Sequence, residues 1–126
     1  MPDIKLDFVS GLMGNDIDIL SRKVSSATEV TVDVVDAMNE LAALQLEKDA
    51  AVSAGTAGQA IDYARGIAYL RGEATALVNL GIAKSRLRDY SSAGDSYAQA
   101  IDVLEKMNEQ VLVSEVRKKL GNVRYY

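Results

Sequence analysis

The sequence predicts an all-α protein in which antiparallel helix pairs stack into a short right-handed α-solenoid of about five to six helices. Three observations predict this fold. The 126-residue chain has one proline, Pro2, so no later proline interrupts a helix, and only 6% of its residues are aromatic. Apolar residues recur every three or four positions over most of the chain. Marker residues recur after 39 or 40 positions.

Two sets of markers define the repeat. The tetrapeptide Gln-Ala-Ile-Asp occurs at 59–62 and again at 99–102, which is 40 residues later. A leucine followed by a small residue occurs at Leu41-Ala42, Leu80-Gly81 and Leu120-Gly121, at spacings of 39 and 40. Because two independent markers keep almost the same period, we predict a structural repeat of that length.

The periodicity predicts the elements in chain order. Residues 1–29 are an amino-terminal capping region, and residues 30–126 are the repeat array. The array comprises a first repeat, a second repeat and a carboxy-terminal half-repeat or cap, at 30–70, 71–108 and 109–126. The predicted helices, with Arg71-Gly72 between the two pairs, are Asp16–Val24, Val30–Leu46, Ala50–Tyr69, Thr75–Leu87, Ser92–Met107 and Val111–Tyr125.

The β-branched run Val30–Val35 is the main ambiguity, because such residues also favour strands. Its register in the repeat places it at the start of a helix, so we interpret it as helical.

Stacking explains why the pairs need one another. Each pair has two apolar stripes but only one partner helix, so successive pairs must bury the second stripe. Small residues let helices approach closely, and we expect Gly81 and Gly121 to lie at such contacts. The residues predicted to build the repeat are Leu41, Ala42, Leu80, Gly81, Ala93, Tyr97, Ala100, Leu120 and Gly121.

This pattern resembles the tetratricopeptide repeat. Its spacing of apolar, Leu-Gly, aromatic and Ala positions is matched by Leu77, Leu80, Gly81, Tyr90, Ala93, Tyr97 and Ala100. The period of about 40 is similar to the subclass found in G-protein-signalling modulators, kinesin light chains and bacterial sensor arrays. The bacterial arrays often open with a segment like Asn39–Ala42. Two departures are Lys84, where a large apolar residue is common, and Glu105, where proline is common.

The resemblance implies binding of a peptide or protein partner in a groove lined by the first helix of each pair. The partner-binding residues it implies are Asn39, Thr75, Asn79, Ile82, Arg86, Lys118, Asn122 and Tyr125, within a wider set that adds Ala43, Leu46, Glu115 and Lys119. In the 40-residue subclass an asparagine at the place of Asn79 often hydrogen-bonds the backbone of a ligand.

Composition excludes several kinds of chemistry. The chain has no cysteine and no histidine, which rules out disulfides, Cys/His zinc sites and catalytic triads. The net charge of −4 argues against nucleic acid as a partner. The sequence shows no secretory signal and no apolar run long enough to span a membrane. We therefore expect a cytoplasmic, nonenzymatic interaction module without a metal or cofactor.

Three alternatives stay open. In the first the chain is a self-associating scaffold, and in the second it is the sensory fragment of a larger signalling protein. In the third it is a small helical enzyme with a carboxylate or Tyr/Lys centre.

Overall fold

The computed structural model describes residues 14–123, and all regular structure in that range is α-helical. Its helices are α1 (Gly14–Ser26), α2 (Val32–Gln45), α3 (Ala50–Gly66), α4 (Leu70–Arg86), α5 (Tyr90–Lys106) and α6 (Gln110–Val123). Each helix packs against the next one in the chain, and α2 also packs directly against α4. The predicted all-helical class is confirmed.

Side-chain caps fix the starts of three helices. The Thr31 hydroxyl accepts a hydrogen bond from the amide of Val34 at 3.2 Å, which starts α2. Asp49 caps α3 in the same way, and Asp89 caps α5. The β-branched segment that begins at Val30 is therefore helical from Val32, as its repeat register predicted.

Residues in the left-handed conformation end three helices. Ala68, Arg88 and Asn108 have φ angles of 56°, 64° and 61° and follow α3, α4 and α5. In each turn the next amide donates back into the helix, as from Tyr69 to the Ala64 carbonyl at 2.8 Å. These are Schellman closures, and each joins two helices through a turn of three residues.

One boundary predicted from the sequence is wrong. Arg71 and Gly72 were expected between the helix pairs, but α4 begins at Leu70 and contains both. The reason is that α3 ends at Gly66 and the left-handed residue Ala68 closes it. Only the turn 67–69 therefore separates α3 from α4.

A core of buried apolar side chains extends from α2 to α6. It includes Met38, Ile61, Leu77, Tyr97 and Val113, one from each of these helices. Of the predicted repeat residues, those that are buried are Leu41, Ala42, Gly81, Ala93, Tyr97 and Ala100, and those that are half-buried are Leu80, Leu120 and Gly121.

Two glycines of α4 set how closely its neighbours approach. A Cβ on Gly81 would lie 2.7 Å and 2.9 Å from Cδ1 and Cζ of the Tyr97 ring on α5. A Cβ on Gly72 would lie 2.7 Å from Cγ1 of Val35 on α2, and as close to the Tyr69 ring. Because neither position has room for a side chain, α4 depends on glycine to contact both α2 and α5.

The expectation for Gly121 is not met. Apart from its chain neighbours and the backbone of its own helix, no described atom lies within 4 Å of the place where its Cβ would be. The same repeat position thus carries a tight contact on α4, where the Tyr97 ring of α5 covers it, and open space among the described residues on α6.

Substitution by alanine is predicted to change the free energy of unfolding differently at the two repeat-related glycines. We expect Gly81→Ala to lower the free energy of unfolding by about 1–3 kcal/mol, because the buried Tyr97 ring must move. Gly121→Ala should be neutral or raise it by up to about 1 kcal/mol, because alanine favours a helix and has room there. Gly81→Leu should cost more than Gly81→Ala. Urea denaturation followed by circular dichroism measures all three, and equal effects of the two alanine variants would contradict this packing.

Candidate functional site

Three side chains of α4 form a polar stripe between two surface pockets. Arg71, Thr75 and Asn79 are spaced by four residues, so they lie on one face of the helix. All three line a pocket on the α2 side and a second pocket on the α6 side. The two pockets therefore meet along this stripe and form one continuous surface.

The pocket on the α6 side, here the apolar pocket, has a volume of about 200 Å³. Its wall and floor are apolar side chains of α4, α5 and α6, namely Ala74, Val78, Leu104, Leu112 and Val116. Glu115 and Lys119 form its rim on α6, opposite the α4 stripe. Such a pocket is suited to a single apolar side chain held among polar groups.

The pocket on the α2 side, here the polar pocket, is wider and shallower, with a volume of about 490 Å³. Besides the α4 stripe it is lined by Asp36, Asn39, Glu40, Ala43 and Tyr69. The Tyr69 hydroxyl donates a hydrogen bond to Asp36 Oδ1 at 2.7 Å. This bond to a carboxylate raises the pKa of the Tyr69 phenol above its usual value.

Asn39 and Asn79 connect α2 to α4 beneath the polar pocket. Asn39 Nδ2 donates to the Gly72 carbonyl at 3.1 Å, and Asn79 Nδ2 donates to the Asn39 carbonyl at 3.1 Å. Asn39 is only 6% exposed, and its Oδ1 atom is buried with no hydrogen-bond partner. The Nδ2 atoms of Asn39 and Asn79 thus each donate a hydrogen bond, and the Oδ1 atom of Asn39 is the polar atom left without a partner at this site.

Some charged side chains around the two pockets form ion pairs and others do not. Arg71 forms an ion pair with Glu109 at 2.6 Å, which connects α4 to the turn before α6. Within the described part of the chain, Glu40, Glu115 and Lys119 take part in no ion pair. The α2 wall of the polar pocket therefore carries uncompensated negative charge.

Of the partner-binding residues predicted from the sequence, some line the two pockets and others do not. Asn39, Thr75 and Asn79 line the pockets, whereas Ile82 is half-buried against the core. Arg86 pairs with Glu47 at 3.3 Å. Lys118 and Asn122 are exposed on α6 but do not line the apolar pocket, and Tyr125 lies outside the described residues.

Sequence reasoning missed several lining residues. Arg71 was missed because it was placed between helices. Asp36 and Glu40 were missed because the resemblance implied only Asn39, Ala43 and Leu46 on that helix, of which Asn39 and Ala43 line the polar pocket. A search at four-residue steps from Thr75 would have found Arg71.

No family model matches the chain, and neither a curated protein nor a solved structure matches it. Between residues 14 and 123, no helix is both long and apolar enough to cross a membrane. In the same range no group of three or more carboxylates is arranged to hold a metal ion.

The role of Asn39 gives a prediction about stability. Asn39→Asp would place a carboxylate oxygen against the Gly72 carbonyl, and the second oxygen would have no donor. We expect the free energy of unfolding to fall by about 3 kcal/mol at pH 7, because a buried charge would be left uncompensated. Burial raises the pKa of such a carboxyl in the folded state, so the loss should grow as the pH rises above about 4 and shrink below it.

The matched variant is Asn79→Asp, because Asn79 is half-buried and its new charge is better solvated. Its loss of stability should be clearly smaller in urea denaturation at the same pH values. Equal losses for the two variants, or a loss for Asn39→Asp that does not depend on pH, would contradict the described hydrogen bonds.

Proposed function

We propose that the chain is a noncatalytic protein-interaction module that binds an extended peptide segment across α2, α4 and α6. In this proposal the helix pairs form a short right-handed solenoid of the tetratricopeptide kind, located in the cytoplasm. The observation that carries the proposal is the meeting of the apolar and polar pockets along the α4 stripe.

The regular spacing of the helices supports the solenoid. The helices α3, α4, α5 and α6 begin at Ala50, Leu70, Tyr90 and Gln110, which are 20 residues apart. The left-handed residues that end three of them also recur every 20 residues, at Ala68, Arg88 and Asn108. Because each helix and its turn together have the same length, each unit is rotated by the same angle relative to the unit before it. Repetition of one such rotation generates a solenoid.

The shape of the site favours a peptide over a small molecule. The apolar pocket, at about 200 Å³, is smaller than the roughly 300–1,000 Å³ typical of small-molecule sites, and the polar pocket, although about 490 Å³ in volume, is wide and shallow rather than enclosing. It opens onto Thr75, which is exposed, and continues into the polar pocket. An extended chain satisfies this arrangement, because it inserts one side chain and lays its backbone along the polar stripe.

Composition supports a binding role rather than catalysis. The whole chain contains no histidine and no cysteine, the two residues that most often provide a base or a nucleophile near neutral pH.

Thr75 at the junction of the two pockets provides the test. The immobilised protein selects binders from a phage-displayed library of random 12-residue peptides, and selected peptides are then measured by fluorescence anisotropy. We expect Thr75→Arg to weaken binding at least tenfold, because the long side chain fills the junction. Folding should be preserved, because Thr75 is exposed and its hydroxyl bonds only the Arg71 carbonyl of its own helix.

The control variant is Ala98→Arg, which adds the same side chain at an exposed position of α5 outside both pockets. Its peptide affinity should equal that of the wild-type protein. A selection that enriches no peptide, or peptides that bind the Thr75→Arg protein as well as wild type, would overturn the proposed function.

A further inference from the structure

The two ends of the proposed binding face differ in charge. Asp36 and Glu40 line the polar pocket from α2, and neither pairs with a cation in the described part of the chain. Among the described residues, Arg71 is the only cationic side chain that lines this pocket, and it forms an ion pair with Glu109 at 2.6 Å. The carboxylates of Asp36 and Glu40 therefore have no ion-pair partner, and the one cation of the pocket is paired with a third carboxylate.

Asn39 adds to the negative potential at the α2 end. Its side chain is 6% exposed, it lines the same pocket, and its buried Oδ1 atom accepts no hydrogen bond. Leaving such an acceptor unsatisfied costs free energy, and Asn39 lines the pocket from the same helix as Asp36 and Glu40. All these groups favour a cation over the polar pocket.

The α6 end carries no net negative charge. Of its charged residues, Glu115 and Lys119 line the apolar pocket, and their opposite charges cancel. Lys118 is exposed on α6 but does not line this pocket, and neither lysine forms an ion pair in the described range. A basic group of a ligand is therefore attracted more strongly to the α2 end than to the α6 end.

From this charge pattern we infer that the partner is a peptide with a basic residue over the polar pocket and an apolar residue in the apolar pocket. The inference rests on the proposed function and adds both the chemistry and the direction of the ligand. Arginine or lysine meets Asp36 and Glu40, and a leucine-sized side chain fits among Val78, Leu112 and Val116.

The spacing of the two ligand residues follows from helix packing. The polar pocket lies between α2 and α4, and the apolar pocket lies between α4 and α6. α2 packs directly against α4, which sets their axes roughly 8–10 Å apart, whereas α6 contacts α4 mainly through α5. The pockets are therefore at least about one interhelical distance apart. An extended peptide advances about 3.3–3.6 Å per residue, so the basic and apolar residues should be at least about three positions apart.

The experiment sequences the peptides selected by the wild-type protein and measures their affinity for charge variants. We expect the selected peptides to share a lysine or arginine at least about three residues from a large apolar residue. Glu40→Lys should weaken their binding about tenfold, and the wild-type affinity should fall as salt is added. Replacing the basic residue of a selected peptide by glutamate should restore part of the binding to the Glu40→Lys protein.

The matched control is Asp102→Lys, which makes the same charge change at an exposed position of α5 outside both pockets. Its affinity should stay within about twofold of wild type. Peptides that are sensitive to Thr75→Arg but lack a basic residue, or that ignore Glu40→Lys, would overturn this inference and leave the proposed function standing. Peptides insensitive to Thr75→Arg would overturn both.

Discussion

The close approach of α4 to its neighbours is the constraint on which the rest of the structure depends. Gly81 leaves room for the buried ring of Tyr97, and Gly72 leaves room for Val35 and the Tyr69 ring. Glycine inside a helix costs about 1 kcal/mol relative to alanine. The chain accepts that cost twice on α4, because these positions let the helix pack on α5 from one side and α2 from the other.

The polar stripe follows from this packing. With its small residues turned toward α2 and α5, α4 presents Arg71, Thr75 and Asn79 to the remaining face. Gly72 has a second role, since its carbonyl accepts the hydrogen bond from Asn39. One helix thus fixes the spacing of α2, holds the buried amide and lines both pockets.

Helical periodicity and the repeat were enough to predict the all-helical class and most of the helices. The site was harder to predict, because it depends on which residues share a face in three dimensions. Arg71 was assigned to a linker, since nothing local shows that α3 ends at Ala68 with a residue in the left-handed conformation. Gly121 repeats Gly81 in sequence but not in environment, because the Tyr97 ring packs on Gly81 and no described side chain packs on Gly121. Asn39 and Asn79 were predicted from a family pattern, and their hydrogen bonds between helices were not.

The central claim is that the surface shared by α2, α4 and α6 is the binding face. The most direct measurement titrates the ¹⁵N-labelled protein with a selected peptide and maps the changes in NMR chemical shift. The claim predicts that the largest changes occur at the side-chain amide of Asn79 and at the backbone amides of Thr75 and Leu112. Changes concentrated instead on exposed residues of α3 and α5, such as Asp62 and Ala98, would contradict it.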